Sequence, residues 1–426
     1  MRDTSRRLYY GWFVLAAVSG MNFANGATAI AVLTVFILPL SADFGWTRTQ
    51  ISAVTSVGAV VGALIAPFAG RLVDRRGARL PLTLGGVCIV LGMLNLAAMQ
   101  SLGWFYLAFG LARLADQGFV QASSPPAIAK WFQRYQGRAM TILSLSSAAG
   151  GVVLPLLVDL VMRVWHWRVA WLMLGGMMLV LGLMPCIFLV KRQPEDLGLP
   201  LDGVTSSPPA EPWRSPRAPI EHTAPDSQAA SWRLGEALHT PALWCLLITA
   251  FAIGVSGTGI GLHLVPYLLQ QGLTQTAAVQ TVSFGFVASG LSNLLWGLSA
   301  DRLPVRPLLI GTYALKTLSL AMLLGVHTVP EAYFFTVLRG LAEGGLGLLT
   351  AILLADYYGR QHLGAIYGLL RAVQVTGFAL GPLITGVTFD ITQSYHGAFV
   401  TFLGLSFVGT ALIGLARPPR HPRRTA

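Results

Sequence analysis

The chain has 426 residues, 54% of them hydrophobic and only 11% charged, against roughly 25% charged residues in soluble domains, which excludes an ordinary soluble globular protein. A formal charge of +12 invites a nucleic-acid partner, but no DNA- or RNA-binding motif accompanies it, so no nucleic acid is expected and topology must explain the charge. Cys88, Cys186 and Cys245 lie far apart in apolar runs, which argues against a disulfide framework or a metal site, and nothing calls for a cofactor.

In chain order, twelve segments reach the roughly 20 mostly apolar residues that a hydrocarbon core of about 30 Å demands. They cover 12–38, 51–69, 80–98, 102–129, 139–161, 169–190, 241–269, 277–298, 308–326, 332–355, 363–389 and 398–416. The first exceeds the short apolar core of a signal peptide and reads as a retained span. With the N-terminus inside, 22 Lys and Arg fall on the inner face and three, Arg48, Arg163 and Arg168, on the outer. That bias places both termini in the cytoplasm, and the membrane expected is the cell's inner (plasma) membrane. Residues 191–240 are polar and hold eight prolines, a composition that builds no core. The expected organisation is therefore a bundle at 1–190, a cytoplasmic linker at 191–240 and a second bundle at 241–426. Within the linker's end, SWRLGEAL is expected as a short interfacial helix.

The halves repeat. GRLVDRRGAR at 70–79 returns as GLSADRLPVR at 297–306, and at the same offset of 227 Pro39 pairs with Pro266, Gly45 with Gly272, Thr47 with Thr274 and Pro155 with Pro382. A period this long marks a duplicated half-protein rather than a solenoid. The fold class expected is an all-α integral membrane protein of 12 transmembrane helices in two pseudo-symmetric six-helix bundles.

The G-x-L-x-D-R-x-G-x-R pattern formed by Gly70, Leu72, Asp74, Arg75, Gly77 and Arg79 after span two, within two six-span halves, resembles the signature loop of the major facilitator superfamily. Arg113-Leu-Ala-Asp-Gln117-Gly118 is similar to that family's second motif, echoed as Arg339-Gly-Leu-Ala-Glu343-Gly344. YYGWFVLAA, WFQRYQGRAM with SSAAGGVVLP, HLVPYL, IYGLLRAVQVTG and QPEDLGLPLDG resemble the monocarboxylate and oxalate/formate transporter branch. Two departures stand out. Span eight carries none of the charges that the animal monocarboxylate carriers have there, and Gln374 stands about where the oxalate carriers have a lysine, with Arg371 one turn earlier. The resemblance implies alternating access around a site between the halves. It also implies a cytoplasmic latch built from Gly70, Asp74, Arg75, Gly77 and Arg79, weaker in the second copy at Asp301 and Arg302, where Pro304 replaces the glycine.

Four basic residues, Arg113, Lys316, Arg339 and Arg371, fall inside spans, against the acids Asp116 and Glu343 of the same two motifs. Buried charges at this depth usually serve function, and a surplus of bases favours an anion. Asp116 lies three residues from Arg113 and Glu343 four from Arg339, so each pair can neutralise itself on one helix face or meet the substrate directly. Arg371 has no acid at such spacing, and its fork suits a carboxylate. Lys316, on a peripheral span, is expected to snorkel or form an interhelical pair and is left outside the site. The substrate-binding candidates are Arg371, Arg113, Arg339, Gln117, Asn22, Asn25, Gln374 and His263, with Asp116 and Glu343 as candidate proton carriers. The expected function is secondary transport of a small mono- or dicarboxylate, proton-coupled or anion-exchanging, by a monomer in the lipid bilayer. The alternatives are a drug- or siderophore-type exporter of the same fold and a non-transporting solute receptor. An enzyme is not expected, since no H-E-x-x-H or Cys-His cluster is present.

Overall fold

The structure, a computed structural model, describes residues 9–132, 135–199, 232–300, 302–359 and 363–419. Every regular element among them is helical. In order these are α1 (Gly11–Asn25), α2 (Ile30–Phe44), α3 (Arg48–Arg76), α4 (Arg79–Ala98), α5 (Leu102–Ala115), a π-turn (Asp116–Val120), α6 (Gln121–Ala129), α7 (Gln136–Val164), α8 (Trp167–Met177), a second π-turn (Met178–Leu183), α9 (Met184–Leu189), α10 (Leu234–Ala237), α11 (Pro241–Gln270), α12 (Gln275–Ala300), α13 (Val305–Leu323), α14 (Val329–Tyr358), α15 (Leu363–Thr392) and α16 (His396–Leu415). Each of the twelve apolar segments is thus helical. Nine stretches among the described residues are long and apolar enough to cross a membrane. Those at 48–76, 102–129 and 305–323 are not among them, and the last two carry the charges Arg113, Asp116 and Lys316.

The chain divides into two units, Met1–Ser207 with Leu264–Pro266, and Pro208–His263 with Tyr267–Ala426. The repeat has a local cause at its matched positions. Gly45 and Gly272 both adopt the left-handed region, with φ of 68° and 90°, a turn that only glycine makes without strain. Thr47 and Thr274 then cap the helices that follow, accepting from the backbone N–H groups of Gln50 at 3.2 Å and Ala277 at 3.3 Å.

Packing within each unit relies on small residues, because between lipid-exposed helices close backbone approach replaces the hydrophobic drive. A Cβ on Gly150 of α7 would lie 2.4 Å from the Phe23 carbonyl oxygen of α1, and one on Gly377 of α15 would lie 2.5 Å from that of Phe251 in α11. In the second unit α12 and α14 are also joined by hydrogen bonds from Ser292 Oγ to the Gly340 carbonyl at 3.1 Å and from Trp296 Nε1 to that of Leu341 at 2.7 Å.

Three sequence expectations need correction. The first span is not continuous: α1 ends at Asn25, a 3₁₀ turn covers Gly26–Thr28, and Ala29 is extended. Asn25 and Gly26 keep helical backbone angles, and the departure comes at Ala29, with φ of -69° and ψ of 151°. The signature stretch is not all loop, since α3 continues to Arg76 and the chain turns at Gly77, where φ is 83°. SWRLGEAL yields only the single helical turn of α10, which is too short for an amphipathic surface helix. Trp232 just before it is buried and donates its backbone N–H to the Tyr358 carbonyl.

Candidate functional site

Each unit holds a polar cluster seeded by its internal arginine, buried in the first unit and partly buried in the second. In the first, the π-turn sets Asp116 and Gln117 at the end of α5, and wide turns of this kind recur at functional sites. Asp116 is 3% exposed and accepts three hydrogen bonds: from Arg113 Nη1 at 2.7 Å, Gln117 Nε2 at 2.9 Å and Asn25 Nδ2 at 2.6 Å. Arg113 Nη1 also reaches the Thr28 carbonyl oxygen at 3.2 Å. The break in the first span explains that contact, because it leaves Thr28 O outside a regular helical ladder and a guanidinium can take it. Asn22 is occupied elsewhere, donating to Val18 O at 2.9 Å and to Ser124 Oγ at 2.8 Å. Arg113 Nε and Asn25 Oδ1 remain buried with no hydrogen-bond partner among the described residues. The cluster rests on α3 through two glycines that no motif singled out. A Cβ at Gly58 would stand 2.5 Å from Arg113 Cβ, and one at Gly62 the same 2.5 Å from Gln117 Cβ. The spacing Gly58-x-x-x-Gly62 was the signal available.

In the second unit Arg339 Nε donates to Glu343 Oε1 at 2.9 Å, and its Nη2 reaches the Gly257 carbonyl of α11 at 3.2 Å. Lys316, from α13, joins them with Nζ 3.4 Å from the same Glu343 oxygen. The interhelical pair expected as one of its two alternatives is the one that forms. The two clusters differ in charge. Arg113 and Asp116 cancel, whereas two cations share the single carboxylate of Glu343.

The remaining candidates are Arg371, Gln374 and His263. Arg371 is exposed on α15 and donates from Nη1 to Gln374 Oε1 at 2.6 Å. His263 is fully buried on α11, with its ring 5.3 Å from that of Tyr395. It therefore presents no surface to a solute in this structure. Of the latch residues, the side chains of Asp74 and Arg75, the surroundings of Gly70 and the whole of Asp301 fall outside the described residues. Gly77 is buried against Arg192, whose Cγ would be 2.7 Å from an added Cβ. Arg79 and Arg302 are exposed.

The aromatic motifs near the start of the chain and after α6 also meet. Tyr9 donates its hydroxyl to the Trp131 carbonyl at 2.9 Å, and Trp12 packs on Phe132 with ring centroids 5.1 Å apart. Trp131 Nε1 in turn donates to the Lys191 carbonyl at 3.4 Å. The contacts tie the start of α1 and the end of α6 to the segment that follows α9.

Comparison with known proteins agrees with this architecture. The family model described as Major Facilitator Superfamily matches residues 13–290 and 280–426. Monocarboxylate transporter 12 of Mus musculus is 22% identical over 98% of this chain and 87% of its own length. The uncharacterized MFS-type transporter YcxA of Bacillus subtilis is 26% identical over 93% of each chain. Among solved structures, that of the nucleoside transporter NupG superposes with a TM-score of 0.73 at 11% identity, over 95% of this chain and 99% of the other. Twelve apolar helical segments in two repeated halves, a paired arginine cluster in each, and a family match spanning nearly the whole sequence lead to one assignment: this multi-pass membrane protein belongs to the Major Facilitator Superfamily of transporters.

Proposed function

We propose that the chain is a secondary transporter of a small organic anion, a mono- or dicarboxylate, working by alternating access with both termini on the cytoplasmic side of the plasma membrane. The observation that carries this reading is Arg371. The other three cations within spans each have a carboxylate at 3.4 Å or less. Arg371 is exposed on its helix, and its described hydrogen bond goes to the neutral Gln374. An exposed guanidinium two turns into a spanning helix, with no described carboxylate partner, is available to an anion, and its fork fits a carboxylate bidentately. The name of the mouse relative, a monocarboxylate transporter, supports the same class of substrate. NupG, named as a nucleoside transporter, shares the fold and so warns that fold alone does not choose the solute.

Asp116 and Glu343 both stand in ion pairs. That favours exchange of one anion for another over proton symport, because a proton carrier must give up such a partner in each cycle. The test is uptake of labelled small carboxylates by protein in liposomes. Arg371→Gln is expected to lower uptake at least tenfold while the purified variant melts at the wild-type temperature. Undiminished flux in that variant would overturn the assignment.

A further inference from the structure

Lys316 lies on α13, which the repeat pairs with α4, and at the corresponding positions α4 carries Ile89 and Val90. The second unit thus has a buried cation with no counterpart in the first. It is 3% exposed, so it does not itself meet a solute. Among the described residues, the counter-charge at hydrogen-bond distance is Glu343, at 3.4 Å. Lys316 and Arg339 converge on one oxygen, Oε1, while Oε2 takes no hydrogen bond among the described residues and the Glu343 side chain stays 34% exposed. Arg339 spends Nε on Glu343 and Nη2 on the Gly257 carbonyl, which leaves donors of its fork uncommitted.

We propose that Lys316 is a positioning residue that sets the charge preference of the transporter: by sharing Glu343 with Arg339, it leaves this cluster one positive charge in surplus and frees part of the Arg339 fork for an anionic solute. This inference rests on the carboxylate reading above. Without Lys316 the cluster would be a balanced Arg–Glu pair, the state that Arg113 and Asp116 already occupy in the first unit. A missing unit charge within about 10 Å of a bound anion in a medium of intermediate dielectric corresponds to roughly a tenfold loss of affinity.

The experiment measures thermal shift and liposome uptake with pyruvate, lactate, benzoate and the neutral amides of these acids, on wild type, Lys316→Met, Glu343→Gln and the double variant. The surplus predicts that Lys316→Met raises KM for the carboxylates roughly tenfold with little change in kcat and leaves any amide binding unchanged. It also predicts that Glu343→Gln tightens carboxylate binding, and that the double variant, again one charge in surplus, returns toward wild type. Lys316→Arg should retain the wild-type preference. If wild type binds none of the acids, the carboxylate reading falls and this inference with it. If wild type binds them and Lys316→Met keeps the wild-type preference for acid over amide, this inference alone is overturned. A Lys316→Met protein that does not fold leaves Glu343→Gln and the double variant to decide, and equal acid affinity in those two would refute the charge surplus.

Discussion

Replacing Gly344 with alanine separates the role of close packing from that of helix propensity, because Gly347, on the same helix α14, supplies a matched control. A Cβ at Gly344 would fall 1.9 Å from Ser292 Oγ and 2.4 Å from the Ser289 carbonyl oxygen of α12, whereas one at Gly347 meets nothing within 4 Å. Nonbonded heavy atoms need about 3.5 Å. The Ser292 hydroxyl can rotate away only by giving up its bonds to Ser289 O and Gly340 O, both 3.1 Å, and the Ser289 carbonyl cannot rotate at all. The two helices must therefore part by about 1 Å, an overpacking cost at the upper end of the usual 1–3 kcal/mol. The propensity gain of about 1 kcal/mol for Gly→Ala offsets part of that cost and acts without opposition at Gly347. Gly344→Ala is thus expected to be less stable than Gly347→Ala by about 3 kcal/mol in thermal unfolding in detergent. It should also weaken carboxylate binding, since Gly344 adjoins Glu343. Equal melting temperatures for the two variants would refute the packing argument.

Asp116→Ala strands the Arg113 charge in a buried site and is expected to destabilise the protein by about 3–5 kcal/mol, most of which Arg113→Leu should restore in the double variant. Unfolding of the two variants side by side checks this. Asp74→Asn is expected to slow turnover while leaving substrate-induced thermal shift intact, if the signature stretch acts as a latch between states. A normal initial rate would leave it as a topogenic signal alone. The losses expected for Arg371→Gln and Lys316→Met complete the set and separate direct anion contact from charge setting at a distance.

Several features of the site are legible in the amino-acid order itself, because they depend on spacing along one helix. Arg113 and Asp116 at i,i+3, and Arg339 and Glu343 at i,i+4, are neighbours on any α-helix, and both pairs form. The helical spans and the matched Gly45 and Gly272 turns are likewise readable, since apolar length and left-handed turn positions are local properties. The break in the first span falls at Ala29 and is not legible, because the apolar residues on either side keep the hydropathy of a continuous helix.

What the sequence determined by itself is a duplicated, twelve-segment membrane chain with arginine-acid pairs at matched places in its halves. Only the tertiary structure decided who joins those pairs. Asn25 bonds Asp116 from 91 residues away and Lys316 reaches Glu343 across 27, while Gly58 and Gly62 seat the first cluster on a neighbouring helix. Such partners are chosen by which helix faces pack together, a long-range outcome that no period along a single segment encodes. That Lys316 brings its charge to the Arg339–Glu343 pair is decided by that packing alone.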